Sequence, residues 1–139
     1  YIDIENLIEK MKNLYAEIQK MNLDKYILHF DLNHRNILKA ENDWKVIDPH
    51  GVIGEKPIDT IQFIRNEIEI TKSDINEINN IVSLISEELE EDKNIILKFL
   101  YIIIVQKIIW YTKTKHSKEV ITYNIDVASK VLKLVKENE

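Results

Sequence analysis

The chain has 139 residues, 45% of them hydrophobic, and a formal net charge of −5. This length and composition suffice for one hydrophobic core, so a single domain over residues 1–139 is predicted. The acidic balance argues against a phosphate-backbone footprint or an anionic-membrane patch, so neither nucleic acid nor membrane is expected as a partner. The absence of cysteine excludes a disulfide framework and thiolate chemistry and favours a cytoplasmic location. The oligomeric state stays open.

The first predicted element is an amphipathic helix over residues 3–21, because apolar residues recur there at spacings of three and four. The chain begins at Tyr1, and no cationic region followed by an apolar one is visible, so no signal peptide is expected. The missing initiator methionine suggests a trimmed or excised piece. The apolar positions of this helix are Ile4, Leu7, Met11, Leu14, Ile18 and Met21.

The polar octet "HFDLNHRN" (29–36) follows a short apolar run and precedes two short strand-like runs, "NILKA" and "WKVID". These two runs are separated by a turn around Asn42 and Asp43, which predicts a β-hairpin. The segment "DPHGVIGEKP" (48–57) contains both prolines and both glycines of the chain. It is predicted to be a structured loop, neither regular helix nor central strand.

After this loop the apolar spacing returns to helical, and four further helices are predicted. The first begins near Pro57, which suits a first turn. The second has Ser73 or Asp74 as its N-cap, the third is a buried helix over 94–114, and the last is capped by Ser117. The architecture is a helical body with one hairpin in its N-terminal third.

The most apolar stretch is residues 95–111, which is interrupted by Lys98, Gln106 and Lys107. Only residues 99–105 lack a polar break, which is too short to span a bilayer. Apolar residues occupy nearly every face of this stretch, as in a buried core helix.

Three oxygen-bearing side chains flank the predicted hairpin: Asp31, Asn36 and Asp48. Antiparallel strands put the start of the first beside the end of the second, so these side chains are expected to converge. Such oxygens suit Mg²⁺, which binds phosphate oxygens and which phosphoryl transfer requires. The separation of Asp31 from Asn36 equals that between the base and the metal-binding Asn of the protein-kinase catalytic loop. Asp48 corresponds to the metal-binding aspartate that follows that loop.

The run "HFDLNHRNIL…WKVIDPHGVIGEKPIDTIQFIRN" resembles the aminoglycoside phosphotransferase-type small-molecule kinases over residues 28–66. It is most similar to the streptomycin and hydroxyurea-resistance kinase branch, with its H-G-D-L-H-x-x-N-I-L, I-D-P-K-G-x-x-G and F-L-R-N motifs. The resemblance implies an α+β, mostly α fold, that of a protein-kinase-like C-terminal lobe. In this fold a helical body carries a small antiparallel β-hairpin with the catalytic and metal loops.

The resemblance also implies roles for individual residues. Asp31 matches the catalytic base or hydroxyl-orienting carboxylate, and Asn36 and Asp48 match the magnesium ligands. His29 would be a scaffold residue that braces the metal loop. Asp59 would accept hydrogen bonds from the backbone of the catalytic loop.

Four further polar residues are predicted neighbours of the phosphate or substrate: Asn33, His34, Arg35 and His50. For His34 and Arg35 the other interpretation is that they are solvated loop residues, which such residues are more often than they are ligands. The chain departs from the family pattern, since Phe30 replaces a glycine, Asn33 a histidine and His50 a lysine. A neutral imidazole at position 50 weakens any role for a cation there.

The activity implied by the resemblance is transfer of the γ-phosphate of ATP or GTP, with Mg²⁺, to a hydroxyl of a small molecule such as an aminoglycoside antibiotic. Gly51 and Gly54 both lie in the metal-loop segment, and no strand-rich section precedes Tyr1. We therefore expect a C-terminal lobe without its N-terminal nucleotide-clamping lobe, which becomes a required partner. Alone, the chain is not expected to turn over efficiently.

Three other interpretations stay open. The polar residues around the hairpin can merely satisfy turns. A non-catalytic binding or interaction module can keep the kinase scaffold after losing activity. A metal-dependent phosphohydrolase is a third reading, although it would need adjacent His and Asp ligands with further histidines on helices. The acidic run at 87–92 suits a cationic ligand or a solvated helix end.

Overall fold

The computed structural model describes residues 3–72 and 74–139, and over these residues the predicted α+β, mostly helical fold is confirmed. The chain divides into two compact units, one of residues 3–22 with 92–139 and one of residues 23–91. The described elements in chain order are α1 (Ile4–Lys20), β1 (Lys25–Leu28), a 3₁₀ turn (His34–Asn36), β2 (Ile37–Ala40), β3 (Asp43–Val46), β4 (Val52–Glu55), α2 (Ile58–Thr71), α3 (Ile75–Leu89), α4 (Lys93–Lys113) and α5 (Lys118–Glu137).

The first unit is built from α1, α4 and α5, and α4 packs against both of the others. The predicted N-cap of α5 is confirmed, because the side chain of Ser117 accepts a hydrogen bond from the backbone N of Val120. The core lies along α4, whose apolar side chains are buried on several faces of the helix. Seven of them are exposed by 1% or less: Ile96, Leu97, Leu100, Tyr101, Ile104, Val105 and Ile108.

Among the described helices, α4 is the one long and apolar enough to cross a membrane by length and composition. The length argument made from the sequence is therefore wrong, because the helix runs for 21 residues through its polar interruptions. However, 56% of its most apolar window is buried inside the fold, as in a core helix, so this is weak evidence for a span. Lys98 fits this interior because its ammonium lies 2.9 Å from the Glu17 carboxylate.

The second unit contains two antiparallel two-stranded sheets, β1 with β4 and β2 with β3. The β2–β3 hairpin confirms the prediction, with Ala40 opposite Asp43 next to the turn. The predicted loop at 48–57 is wrong in part, because Val52–Glu55 forms β4. A strand fits there because both prolines lie outside it and because its partner strand allows a close approach at Gly54. A Cβ on Gly54 would lie 2.9 Å from Leu28 Cδ1.

The helices α2 and α3 complete the second unit, and α2 packs against α3 and β4. The helix α2 follows Pro57 without a side-chain cap. Asp74 caps α3, since its Oδ1 accepts from the backbone N of Glu77 at 3.0 Å. The other predicted cap, Ser73, lies outside the described residues. Isoleucines at helical spacing form an apolar stripe along α2, and three of them, Ile61, Ile64 and Ile68, are buried, whereas Ile58 at its start is partly exposed.

Candidate active site

The polar octet begins where β1 ends and closes with the 3₁₀ turn His34–Asn36. Asn33 starts this turn, because its Oδ1 accepts from the backbone N of Arg35 at 2.9 Å. Phe30 has a φ of 70°, a left-handed conformation that is costly for a bulky side chain. A glycine, as in the family pattern quoted above, would adopt this conformation without that cost.

Asp31 and Asn36 are in direct contact. The amide Nδ2 of Asn36 donates to the Asp31 backbone oxygen at 2.8 Å and to its Oδ2 at 3.2 Å. The other carboxylate oxygen, Oδ1, accepts from Asn33 Nδ2 at 3.0 Å. Two side-chain amides therefore orient the Asp31 carboxylate. Asn36 is buried. Among the described residues, its side-chain hydrogen bonds use the amide nitrogen, and no donor contacts its oxygen.

The loop that carries Asp48 is held against the octet at both of its ends. The backbone N of Ile47 donates to Asn36 O at 3.0 Å, and the backbone N of His50 donates to His29 O at 2.8 Å. Asp48 lies between these two bonds with a φ of 55°. In addition, His50 Nε2 lies 3.7 Å from Asp31 Oδ2. The octet and the Asp48 loop are therefore neighbours.

The chemistry of this donor set fits a magnesium ion. Within residues 3–72 and 74–139, no three His, Asp or Glu side chains are grouped to hold a metal. A hard cation here would instead take the Asn36 carboxamide oxygen and the Asp48 carboxylate, with water and phosphate oxygens as its other ligands. Few protein ligands and several waters are the usual arrangement for Mg²⁺ at phosphate-transfer sites.

His29 bridges the octet and the Asp48 loop. Its Nδ1 accepts from the backbone N of Asp31 at 3.2 Å, and its Nε2 lies 2.6 Å from Ile47 O. A carbonyl oxygen can only accept, so these partners assign the proton to Nε2 and leave Nδ1 as the acceptor. One neutral tautomer of His29 satisfies both contacts.

Asp59, in the first turn of α2, anchors the beginning of the octet. Its Oδ2 accepts from the backbone N of His29 at 2.9 Å, and its Oδ1 accepts from the backbone N of Phe30 at 2.8 Å. These two bonds hold the left-handed residue in place. The role of Asp59 as a scaffold residue stays a prediction, and these contacts support it.

The interpretation of His34 as a solvated loop residue is wrong. Its Nε2 lies 2.7 Å from Glu67 Oε1, and its ring packs on Phe63 with a centroid distance of 4.7 Å. The backbone N of His34 donates to Asn66 Oδ1 at 3.0 Å. His34 therefore docks the 3₁₀ turn on α2, whereas Arg35 is exposed.

A cleft of about 380 Å³ lies between the 3₁₀ turn and α2. It adjoins the candidate base, because the lining residue Asn33 donates to the Asp31 carboxylate. The polar residues that α2 contributes were not predicted from the sequence. One signal for them was present in the sequence: these polar residues recur at helical spacing, so they share one face of α2, apart from its buried apolar stripe. The lining residues are Asn33, His34, Arg35, Gln62, Asn66, Glu69 and Ile70.

The acidic run at 87–92 lies at the end of α3, and Glu87, Glu88 and Glu90 are exposed. Lys56 Nζ donates to Leu89 O at 2.8 Å, so a cation of the chain itself satisfies a carbonyl of the last turn. This arrangement is that of a solvated helix end.

Comparison with known proteins places these observations in a family. The family model described as aminoglycoside/hydroxyurea antibiotic resistance kinase matches residues 4–114. The chain belongs to this family. The resemblance found from the sequence motifs is thereby confirmed, and the matched range includes all the candidate site residues. No curated protein and no solved structure matches the chain. As a member of the antibiotic resistance kinases, the chain belongs to a phosphotransferase-type enzyme family, which uses a nucleotide and a metal in general.

Proposed function

We propose that the chain is the catalytic and acceptor-binding lobe of a phosphotransferase. It transfers the γ-phosphoryl group of ATP or GTP to a hydroxyl of a small molecule, such as an aminoglycoside. The observation that carries the proposal is the double hydrogen bond from Asn36 to Asp31, beside a loop that holds Asp48. Family membership supports the class of reaction.

In the proposed reaction, Asp31 orients the acceptor hydroxyl and receives its proton. The acceptor oxygen forms a bond to the γ-phosphorus, and the bond between that phosphorus and the β,γ-bridging oxygen breaks. The nucleoside diphosphate leaves with the electron pair of the broken bond. Asn33 and Asn36 keep the carboxylate in one orientation through their amide donors, which favours a productive approach of the hydroxyl.

Magnesium is the proposed metal, with Asn36 and Asp48 as its protein ligands. When bound, Mg²⁺ neutralises charge on the phosphate oxygens. The contacts of His29 with Asp31 and Ile47 hold the two ligand-bearing segments together. The proposed partner is a nucleotide-clamping lobe, which supplies the glycine-rich loop and the lysine that phosphoryl transfer of this type uses. We further propose a cytoplasmic location, where ATP and GTP are available.

A second candidate is a binding module that retains the scaffold without catalysis. Two departures at the centre favour it: Phe30 occupies a left-handed position, with a φ of 70°, and His50 replaces the lysine of the family pattern next to Asp31. A module of this kind would bind nucleotide or acceptor without transferring phosphate.

The test is an acceptor screen with this chain joined to a nucleotide-clamping lobe. Each acceptor is incubated with magnesium and either ATP or GTP labelled in the γ-phosphate, and product is detected as labelled acceptor. The proposal expects transfer with at least one acceptor and loss of transfer when magnesium is chelated. Binding of nucleotide or acceptor without transfer to any hydroxyl would overturn it in favour of the binding module.

A further inference from the structure

The cleft between the 3₁₀ turn and α2 is lined by hydrogen-bond donors, and these donors restrict which small molecules can bind there and receive the phosphoryl group. If Asp31 is the base, as proposed above, then the cleft beside it is where the acceptor lies. Asn33 connects the two, since it lines the cleft and donates to Asp31 Oδ1 at 3.0 Å. The inference below rests on this proposed function and concerns the class of molecule that the cleft takes.

Three side-chain amides line the cleft, and each uses its oxygen within the protein. The backbone N of Arg35 donates to Asn33 Oδ1, and the backbone N of His34 donates to Asn66 Oδ1. The guanidinium of Arg65 donates to Gln62 Oε1 at 3.4 Å. Backbone N–H groups and guanidinium groups can only donate, so these partners fix which end of each amide is oxygen.

The remaining amide groups of the cleft are therefore donors. The NH₂ group of Asn33 donates one hydrogen bond to Asp31. No described residue accepts from the NH₂ group of Gln62 or Asn66. Arg35 adds a guanidinium that is exposed and has no carboxylate within ion-pair distance among the described residues. The cleft thus presents three sets of N–H donors without internal acceptors.

The carboxylates beside the cleft already have partners in the protein: Asp31 accepts from Asn33, and Glu67 contacts His34. The lining of the cleft includes one carboxylate, that of Glu69, and this group lies 3.9 Å from the guanidinium of Arg65. Arg65 is buried, with 7% of its surface exposed, and its charge offsets that of Glu69. A ligand rich in ammonium groups would bring further donors to a surface that already has an excess of them.

We infer that the acceptor is a compact polyhydroxylated molecule without ammonium groups, such as a polyol or a sugar acid. Its hydroxyl, carbonyl or carboxylate oxygens accept from Gln62, Asn66 and Arg35, while one hydroxyl reaches Asp31. A volume of about 380 Å³ is near the lower end of the range for small-molecule sites. Among the small molecules that the proposed function allows, this narrows the choice, because a polycationic aminoglycoside is disfavoured by the excess of donors.

The test compares matched ligands for binding to the 139-residue chain by ligand-observed NMR. Each pair differs by one group: myo-inositol against an amino-inositol, glucose against glucosamine, and gluconate against glucosaminate, with streptomycin as a polycationic reference. For at least one pair, the member without the ammonium group should bind about tenfold more tightly, which corresponds to about 1.4 kcal/mol.

The variant Gln62→Glu reverses the hydrogen-bonding character of one lining residue. The new carboxylate still accepts from Arg65, but it replaces the NH₂ donor by an acceptor, so the preference against the ammonium-bearing member should shrink or reverse. Gln106→Glu on α4 is the matched control, because Gln106 is exposed and does not line the cleft. It should leave the preference unchanged.

Two results would overturn the inference: ammonium-bearing members that bind as tightly as their partners, or no binding by any member of any pair. The proposed function fails separately. If polyols bind but receive no phosphate in the screen, the function is wrong and the ligand class stands. If streptomycin is phosphorylated and no polyol is, the function stands and the ligand class is wrong.

Discussion

The side-chain amide of Asn36 donates to two oxygens of Asp31, the backbone carbonyl at 2.8 Å and Oδ2 of the carboxylate at 3.2 Å. One buried amide thus fixes both the backbone and the side chain of the candidate base. The same contact leaves the Asn36 oxygen available to a cation. In the proposed mechanism, this pair would couple the position of the reacting hydroxyl to the position of the metal.

The metal ligands can be tested with the chain alone. Asn36→Ala and Asp48→Asn should each weaken Mn²⁺ binding, used as a spectroscopic substitute for Mg²⁺, by about 10- to 100-fold. Paramagnetic broadening of amide resonances measures the affinity. Asn80→Ala is the control, since Asn80 is exposed on α3, and it should not change binding. If all three variants bind Mn²⁺ with the same affinity, neither Asn36 nor Asp48 is a metal ligand.

The anchor formed by Asp59 should contribute to stability. Asp59→Ala leaves the backbone N–H groups of His29 and Phe30 without their acceptors, so the free energy of unfolding should fall by about 2 kcal/mol. Urea unfolding followed by circular dichroism measures the change. Asp24→Ala, at an exposed position, should change stability by less than about 0.5 kcal/mol. A loss at position 59 no larger than this would contradict the anchoring role.

The close approach of β1 and β4 at Gly54 makes a second stability prediction. Gly54→Ala places a Cβ 2.9 Å from Leu28 Cδ1, and the repacking should cost about 1–3 kcal/mol. Gly51→Ala is the matched control. Its added Cβ has no atom within 4 Å, so the substitution tests only the strain of a φ of +68°. Strain alone should cost it about 1 kcal/mol. A smaller loss of stability for Gly54→Ala than for Gly51→Ala would contradict a tight contact between position 54 and Leu28.

Alkaline pH should destabilise the helical unit through Tyr101. Burial raises the pKa of Tyr101 to about 12, whereas an unfolded tyrosine has a pKa of about 10. The folded state holds this proton more tightly, so the resulting stability is complete below about pH 10 and is lost as pH rises toward 12.

The measurement is urea unfolding at about pH 8 and about pH 11 for Tyr101→Phe and for the control Tyr15→Phe, an exposed tyrosine. Tyr101→Phe should lose about 1 kcal/mol at the lower pH, through its 3.4 Å hydrogen bond to Leu7 O. It should also show a smaller alkaline decline than the control. An identical decline in the two variants would contradict the sign worked out above.

Local signals in the sequence predicted the helices, the hairpin at Asn42 and the caps Asp74 and Ser117, because spacing and capping depend on residues close in the chain. The strand β4 was missed because its pairing with β1 joins Leu28 to Val52, a long-range contact with no local pattern. Proline and glycine content also masked it.

The candidate site was predictable where its residues share one motif and not where a helix brings in distant ones. The spacing of Asp31 and Asn36 is readable from the octet alone. In contrast, the contact of His34 with Glu67 and the contribution of Gln62 to the cleft depend on how α2 docks. From the sequence alone, polar residues on one face of a helix are interpreted as solvent-exposed, because the segment that packs on that face is not known.

The most direct measurement of the central claim is γ-phosphate transfer by Asp31→Asn, in the chain joined to a nucleotide-clamping lobe. The substitution keeps the size of the side chain and removes the proton acceptor, so turnover should fall by about 10²- to 10⁴-fold while circular dichroism and nucleotide binding stay unchanged. Asp24→Asn should retain full turnover. Undiminished transfer by the Asp31→Asn protein would contradict the assignment of this carboxylate as the base.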